Sequence, residues 1–191
     1  SKKVYEANIT VFDALKKSDY DLKGKFFLER YISAHSIMIS FEGIPAIYFN
    51  SLFGKSNDET KYIITGNNRD INRYKWNYKN ILKKLDNKNS KQSIFYNKIT
   101  NLLRIRRKQK AFHPNASRHH INLGSNFFSF KRVSINKDQT IICITNLSSK
   151  IQKAQLNKAF HSWNNLIGSK IEIKNNFLMF KPFETIWLSN K

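Results

Sequence analysis

The chain has 191 residues, of which 40% are hydrophobic and 14% aromatic, enough for a buried core and too many for an intrinsically disordered protein. Its 34 Lys and Arg residues against 13 Asp and Glu give a formal net charge of +21, which taken alone suggests a polyanionic partner. No apolar run reaches the ~20 residues of a membrane span, and Cys143, the single cysteine, excludes a disulfide within the chain. We expect a cytoplasmic protein with no membrane contact.

The basic residues are spread along the chain beside many asparagines, a composition that also fits solvated positions without any partner. The one dense cluster, 104–110, ends an apolar-periodic stretch, where cations favour the negative end of the helix dipole. We therefore favour a solvated helix face and expect no nucleic-acid partner. A basic nucleic-acid-binding module remains the alternative function.

The first predicted elements are a helix, a turn and a strand. Apolar residues recur at helical spacing over 22–41, and the pattern stops at Gly43-Ile44-Pro45. The short apolar run 46–49 then predicts a strand buried on both faces. A long helix, a tight turn and a buried strand are typical of a parallel α/β sheet or barrel.

A long polar segment, 52–78, follows this strand and is too long to be a mere connection. A second helix is predicted over 94–111, and His113-Pro114 ends it, because proline disfavours helix in the residue before it. Beyond residue 117 the pattern changes to short apolar runs separated by Asn, Ser, Gly and Lys, which predicts an antiparallel sandwich. The runs are 127–130, 140–145, 170–173, 177–180 and 185–188.

Few groups in the chain indicate catalytic or metal chemistry. His119 and His120 are adjacent, and neighbouring residues of a strand point to opposite faces, so the pair is badly placed to share a metal ion. No glycine-rich phosphate loop or nucleophile elbow is present, and Cys143 lies in an apolar run. We expect neither a metal nor a cofactor.

The loop 65–74 is the most unusual polar segment, because two arginines, an aspartate and three asparagines crowd it directly after the predicted strand. Arginine offers five donors in a rigid fork, which suits hydroxyl-rich sugars and oxyanions. An Arg–Asp network that merely orders the loop explains the same composition. The pattern leaves both interpretations open.

Six segments carry motifs that occur together in one order. They are 5–15 (Tyr-Glu-Ala-Asn-Ile-Thr-Val-Phe-Asp-Ala-Leu), 43–54 (Gly-Ile-Pro-Ala-Ile-Tyr-Phe-Asn-Ser-Leu-Phe-Gly), 66–73 (Gly-Asn-Asn-Arg-Asp-Ile-Asn-Arg), 102–107 with 112–114, 146–148, and 182–188 (Pro-Phe-Glu-Thr-Ile-Trp-Leu). Together they resemble the sucrose phosphorylase subfamily of glycoside hydrolase family 13, which includes sucrose and glucosylglycerate phosphorylases. The segment 66–73 is the most specific of the six.

The resemblance implies a fold, a domain boundary and a reaction. Residues 1–116 would be the C-terminal part of a (β/α)8 TIM barrel, and 117–191 an antiparallel β-sandwich domain. The reaction would be a retaining phosphorolysis of an α-glucoside to α-glucose 1-phosphate, with a sugar and inorganic phosphate as substrates. A whole barrel needs ~250 residues, so the resemblance places the catalytic carboxylates before Tyr5 and none within the chain.

Carried over by position, the resemblance implies five substrate-binding residues: Tyr5, Glu6, Arg69, Asn72 and Arg73. Arg73 would contact the glucosyl unit and pair with a carboxylate from the upstream part of the barrel. Tyr5 would lie against the phosphate or leaving group, and Glu6 would line the acceptor side.

Two positions bear on specificity. Asn67 replaces an arginine that many members of the subfamily carry, so the anion contact expected there is not carried over. Glu6 stands where sucrose-specific members have glutamine, which favours a glucosylglycerate-type acceptor.

Overall fold

The computed structural model describes residues 7–168, 171–175 and 177–191. The described part folds as two compact units: the first comprises the described residues up to Phe27 together with Ala46–Ile99, and the second comprises Leu28–Pro45 and the described residues from Thr100 onward. The helices are α1 (Val11–Ala14), α2 (Phe27–Ser40), α3 (Phe49–Leu52), α4 (Glu59–Thr65), α5 (Tyr78–Asp86) and α6 (Lys91–Arg107). Short 3₁₀ helices span Asn68–Asn72, Lys110–Phe112 and Lys158–Ser162.

The strands among the described residues lie in the second unit. They are β1 (Ser117–His120), β2 (Phe127–Val133), β3 (Thr140–Asn146), β4 (Gln152–Gln155), β5 (Asn164–Asn165), β6 (Ile173–Lys174), β7 (Phe177–Phe180) and β8 (Thr185–Ser189). One sheet has the order β1-β2-β3-β8-β5 and the other β4-β7-β6, and every described pairing is antiparallel. The predicted antiparallel pairing beyond residue 117 is thus confirmed.

Apolar side chains from both sheets share one buried cluster. Its members are Ile142, Ile144, Ala154, Leu156, Leu178, Phe180, Ile186 and Leu188. Alternate residues of β7 are buried, as expected for a strand with one face toward a core. Cys143 is also buried, and burial raises the pKa of its thiol to about 12. The predicted boundary at 116/117 and the sandwich arrangement stay predictions.

The two helices predicted from apolar periodicity are confirmed, with shifted ends. Helix α2 begins at Phe27 rather than at 22, because the Asp21 carboxylate accepts hydrogen bonds from the backbone N–H groups of Lys25 (2.8 Å) and Phe26 (2.9 Å) and holds a turn before it. Helix α6 starts at Lys91, after Ser90, whose hydroxyl accepts from the backbone of Ser93. None of the described helices is long and apolar enough to cross a bilayer.

The strand predicted at 46–49 is wrong for this structure. Residues 46–48 form no strand among the described residues, and Phe49 begins α3. Tyr48 and Phe49 are 55% and 56% exposed, so the run is not buried either. A strand needs neighbours to accept and donate its backbone hydrogen bonds, and both described sheets are built from other segments.

Two buried arginines tie the second unit together through backbone carbonyls. Arg132, fully buried, donates to the carbonyls of Ser40 (2.8 Å), His113 (2.8 Å) and Ala116 (3.1 Å). Arg106 donates to Ile39, to Phe41 (3.0 Å) and to Gly43 (2.7 Å). Burial lowers the pKa of both guanidinium groups. These contacts fix the end of α2 and the turn after α6 against the larger sheet.

Candidate functional site

The arginine-bearing loop, residues 58–74 of the first unit, has a defined backbone. Asp58 caps α4 by accepting a hydrogen bond from the backbone of Lys61 (3.2 Å), and Gly66 ends that helix in the left-handed conformation with φ of 63°. The Asn67 side chain then caps the 3₁₀ helix Asn68–Asn72. The backbone N–H of Asp58 donates to the carbonyl of Ile71 (2.7 Å) and closes the loop on itself.

A lysine, not an arginine, pairs with the aspartate of this loop. Lys61 Nζ lies 2.8 Å from Asp70 Oδ1. The hydrogen bond from Lys61 is the main reason that the pKa of Asp70 is lowered, and the positive charge of Arg73 contributes a smaller part. Among the described residues Asp70 thus forms its ion pair with Lys61, whereas the Arg–Asp network considered from the sequence would pair it with an arginine.

Both predicted arginines lie at the surface of the loop. Arg69 and Arg73 are exposed, and Asn72 is half-buried. No described carboxylate lies within ion-pairing distance of Arg73. Its guanidinium can therefore present its fork of donors to a ligand.

A buried asparagine holds the backbone on both sides of Arg73. Asn50, 3% exposed, donates through Nδ2 to the carbonyls of Asn72 (3.2 Å) and Tyr74 (3.0 Å). Its Oδ1 accepts from Trp76 Nε1 at 2.8 Å. Both Nδ2 hydrogens and the Oδ1 atom of Asn50 are thus hydrogen-bonded. A side chain more than twenty residues upstream therefore holds the backbone on either side of Arg73.

Aromatic rings fix the exit of the loop. Tyr74 and Trp76 meet edge to face with centroids 4.9 Å apart, and Trp76 also contacts Phe53 at 5.8 Å. Phe53 in turn stacks on Tyr96 of α6. Lys55 Nζ lies 4.2 Å from the centroid of Tyr74, within cation–π distance. The segment leaving Arg73 is therefore anchored by packing as well as by hydrogen bonds.

The N-terminal motif is bound to the start of the same loop. Thr10 N–H donates to Asn57 Oδ1 (2.8 Å), and Asn57 N–H donates to Asp13 Oδ2 (2.6 Å). Phe12 packs edge to face on Phe95, with centroids 5.7 Å apart. Residues 7–14 therefore lie next to the segment that leads into the arginine loop.

Close packing beneath this contact requires a glycine. Gly54 has φ of 57°, and a Cβ built on it would lie 2.8 Å from the Phe95 ring and 3.2 Å from the Phe12 ring. A residue without a side chain is the one that allows the backbone to approach the two rings so closely.

The predicted site residues thus divide into two groups. Arg69, Asn72 and Arg73 are together on the loop, whereas Tyr5 and Glu6 lie outside the described residues. Sequence reasoning missed Asn50 and Asn57, which act through hydrogen bonds between distant segments. The available signal was the polar pair Asn50-Ser51 between apolar residues on both sides, since a buried amide must find partners.

The chain is similar in sequence to three bacterial sugar phosphorylases. The chain is 30% identical over 187 residues to glucosylglycerate phosphorylase from Escherichia coli, which covers 96% of this chain and 32% of that protein. It is 30% identical over 144 residues to glucosylglycerate phosphorylase from Spirochaeta thermophila (75% and 24%) and 31% identical over 109 residues to sucrose phosphorylase from Agrobacterium vitis (57% and 19%). The resemblance to sucrose and glucosylglycerate phosphorylases is confirmed.

The sequence relatives are longer than this chain. The chain spans about a third of the E. coli phosphorylase and a smaller share of the other two. No family model matches the chain.

The fold of this chain is similar to parts of solved structures. AmyP superposes with a TM-score of 0.66 at 15% identity, covering 86% of this chain and 35% of AmyP. Trehalose-6-phosphate hydrolase (TreA) from Bacillus licheniformis superposes with a TM-score of 0.62 at 13% identity, covering 90% and 40%. At these identities the likeness concerns the fold alone, a mixed helical and antiparallel structure.

Proposed function

We propose that this chain is the C-terminal part of a retaining α-glucoside phosphorylase that converts an α-glucoside and inorganic phosphate to α-glucose 1-phosphate. Similarity to glucosylglycerate phosphorylase over 96% of the chain supports the reaction class. The observation that carries the proposal is the exposed Arg73 guanidinium on a loop that Asn50 and Lys61 hold in place without using it.

In this proposal Arg73 binds the glucosyl unit and faces a carboxylate contributed by the rest of the enzyme. A guanidinium group held in a fixed orientation binds a planar carboxylate or a pair of sugar hydroxyls through two parallel hydrogen bonds. Asp70 pairs with Lys61, and no described carboxylate forms an ion pair with Arg73. Arg69 and the half-buried Asn72 complete the polar face of the loop.

The remaining fold assignments belong to the same proposal. Residues 1–116 form the end of a (β/α)8 barrel and 117–191 a β-sandwich domain.

None of the acidic residues that order this site is assigned a catalytic role. Asp70 is paired with Lys61, and Asp13 accepts a hydrogen bond from the Asn57 backbone. The nucleophile and the general acid–base that a retaining mechanism needs are therefore assigned to the rest of the barrel.

The acceptor in the proposal is a glucosylglycerate-type acid. Glu6 in place of the glutamine of sucrose-specific members supports it, as do two relatives named glucosylglycerate phosphorylase at 30% identity. Tyr5 would lie against the phosphate or leaving group and Glu6 against the acceptor.

The test is product formation by the full-length enzyme that carries this chain. We expect phosphate-dependent release of glucose 1-phosphate from glucosylglycerate at a higher kcat/KM than from sucrose. A preference for sucrose would contradict the acceptor assignment while leaving the reaction class intact. No glucose 1-phosphate from either substrate, with a folded enzyme, would contradict the proposed function.

A basic nucleic-acid-binding module is the second candidate, supported by the net charge of +21 and by exposed Arg104, Arg107 and Lys108 at the end of α6. Arg106, which lies between these exposed basic residues in sequence, is buried and donates to backbone carbonyls. It therefore interrupts the exposed positive charge at the end of α6. Titrating salt against binding of a DNA duplex separates the two candidates, because phosphate neutralisation requires a steep fall of affinity with salt.

A further inference from the structure

The second unit contains a concave surface that the proposed reaction does not use. It is a cavity of about 710 Å³ bounded by the C-terminal end of α6, the turn at 113–114, the β2–β3 hairpin and the residues 44–45. Its volume is in the range of about 300–1,000 Å³ that is typical of small-molecule sites. No residue of the arginine loop lines it.

The cavity has an apolar lining that is open to solvent. Ile44, Leu103, Phe112 and Ile135 line it, and Ile44 and Ile135 are 84% and 59% exposed. Large apolar side chains grouped on a concave surface gain free energy when an apolar ligand displaces the water on them.

The same cavity carries positive charge that its own acidic residue does not neutralise. Asp138 lines it but is already engaged by Lys110 at 2.7 Å and Lys191 at 3.6 Å, and it accepts a hydrogen bond from Ser134. Arg107 and Lys108 line the cavity, are exposed, and form no ion pair with any described residue.

A buried charge lies at the edge of this surface. Arg106 also lines the cavity, is 7% exposed, and is bonded to three neutral carbonyls rather than to a carboxylate. Its guanidinium carbon lies 5.6 Å from the centroid of the Phe112 ring, and that of the fully buried Arg132 lies 5.9 Å from the same centroid. Uncompensated charge in a partly desolvated site attracts an anion more strongly than charge in water.

We propose that this cavity binds a small organic anion with an apolar body, of the alkyl carboxylate class. The apolar body lies on Ile44, Phe112 and Ile135, and the carboxylate accepts charge-assisted hydrogen bonds from Arg107 and Lys108. A concave site of this volume accommodates a compact ligand, whereas an acidic protein segment needs a longer surface.

The experiment compares octanoate with 1-octanol, which has the same alkyl length without the charge, by titration calorimetry on the full-length enzyme that carries this chain. We expect octanoate to bind with a single site and 1-octanol to bind about tenfold or more weakly, the scale of one charge-assisted hydrogen bond.

Three variants locate the site. Arg107→Gln combined with Lys108→Gln is expected to weaken octanoate about tenfold and leave 1-octanol unchanged. Ile135→Glu is expected to weaken both. The matched control, Lys131→Gln combined with Lys150→Gln, removes the same charge from exposed positions that do not line the cavity and is expected to change neither.

Far-ultraviolet circular dichroism and thermal melting confirm that each variant is folded. Equal affinity for octanol and octanoate, or equal weakening by the control pair, would overturn the proposal. Failure of octanoate to bind would also overturn it, including the case in which an acidic peptide of alternating glutamate and leucine binds instead.

Discussion

Replacing Asn50 by alanine is expected to loosen the backbone that carries Arg73. The change removes two hydrogen bonds to the carbonyls of Asn72 and Tyr74 and the acceptor of Trp76 Nε1. A buried polar group left without its partner costs about 1–3 kcal/mol. Asn72, Tyr74 and Trp76 are half-buried, so water replaces part of what is lost. We expect a decrease of about 2–3 kcal/mol in the free energy of unfolding.

The assay is urea denaturation of the chain, with Asn101→Ala as the matched control. Asn101 is exposed on α6, so its replacement is expected to change the free energy of unfolding by less than about 0.5 kcal/mol. A decrease for Asn50→Ala no larger than that of the control would refute the assignment of Asn50 as the anchor of the loop.

Asn50→Asp tests the orientation of the same amide. It preserves an acceptor for Trp76 but places a carboxylate oxygen where Nδ2 now donates to two carbonyls about 3 Å away. Repulsion between these oxygens should destabilise the chain at neutral pH more than alanine does. A variant as stable as the wild type would show that the group facing the carbonyls is not a donor.

Three further outcomes follow from the described contacts. Gly54→Ala should lower the free energy of unfolding by about 1–3 kcal/mol, because a Cβ would lie 2.8 Å from the Phe95 ring at a φ of 57°; a thermal melt unchanged from wild type contradicts this. The pKa of the Asp70 carboxyl is below its usual 3.8, so the Lys61–Asp70 pair should stabilise the loop above that pH and lose its effect as the pH falls. Asp70→Asn should therefore reduce the dependence of the free energy of unfolding on pH in the acid range. The same pH dependence in the variant and in the wild type would contradict the pair. The Cys143 thiol, buried and with its pKa raised to about 12, should not react with an aromatic disulfide reagent at pH 8 until the chain is unfolded in urea; stoichiometric reaction of the native chain contradicts its burial.

Local patterns predicted much of the secondary structure but not its exact limits. The period of the apolar residues identified α2 and α6. The residues that α2 buries are nevertheless mostly polar, among them Arg30, His35 and Ser36, so the apolar pattern did not predict its buried side. The start of α2 depends on the Asp21 carboxylate, which accepts two backbone hydrogen bonds four and five residues later, a detail that hydrophobic periodicity does not encode.

The error at 46–49 has a different cause. An apolar run specifies burial on strand neighbours only if those neighbours are present, and the described sheets are formed by β1–β8 alone. Strand formation is a non-local property, whereas a helix satisfies its own backbone hydrogen bonds.

The residue types on the arginine-bearing loop could be seen in the sequence, but the contacts that hold them in place could not. The arginines of the loop stand out because guanidinium and amide groups suit sugars and oxyanions, although a network that orders the loop explains the same composition. Their support could not be read from the sequence, since Asn50 and Asn57 act across 22 or more residues. The pairing of Asp70 with Lys61 rather than with an arginine was likewise decided by the geometry of α4, which places Lys61 next to the 3₁₀ turn.

The most direct test of the account is Arg73→Lys in the full-length enzyme, measured as kcat/KM for glucose 1-phosphate formation. An ammonium group cannot reproduce a bidentate fork, so we predict a loss on the order of 10²-fold or more. Arg104→Lys, an equally conservative change at an exposed position of α6, serves as the control and should retain wild-type activity. A kcat/KM for Arg73→Lys within about twofold of the control would contradict the role of Arg73 in binding the glucosyl unit.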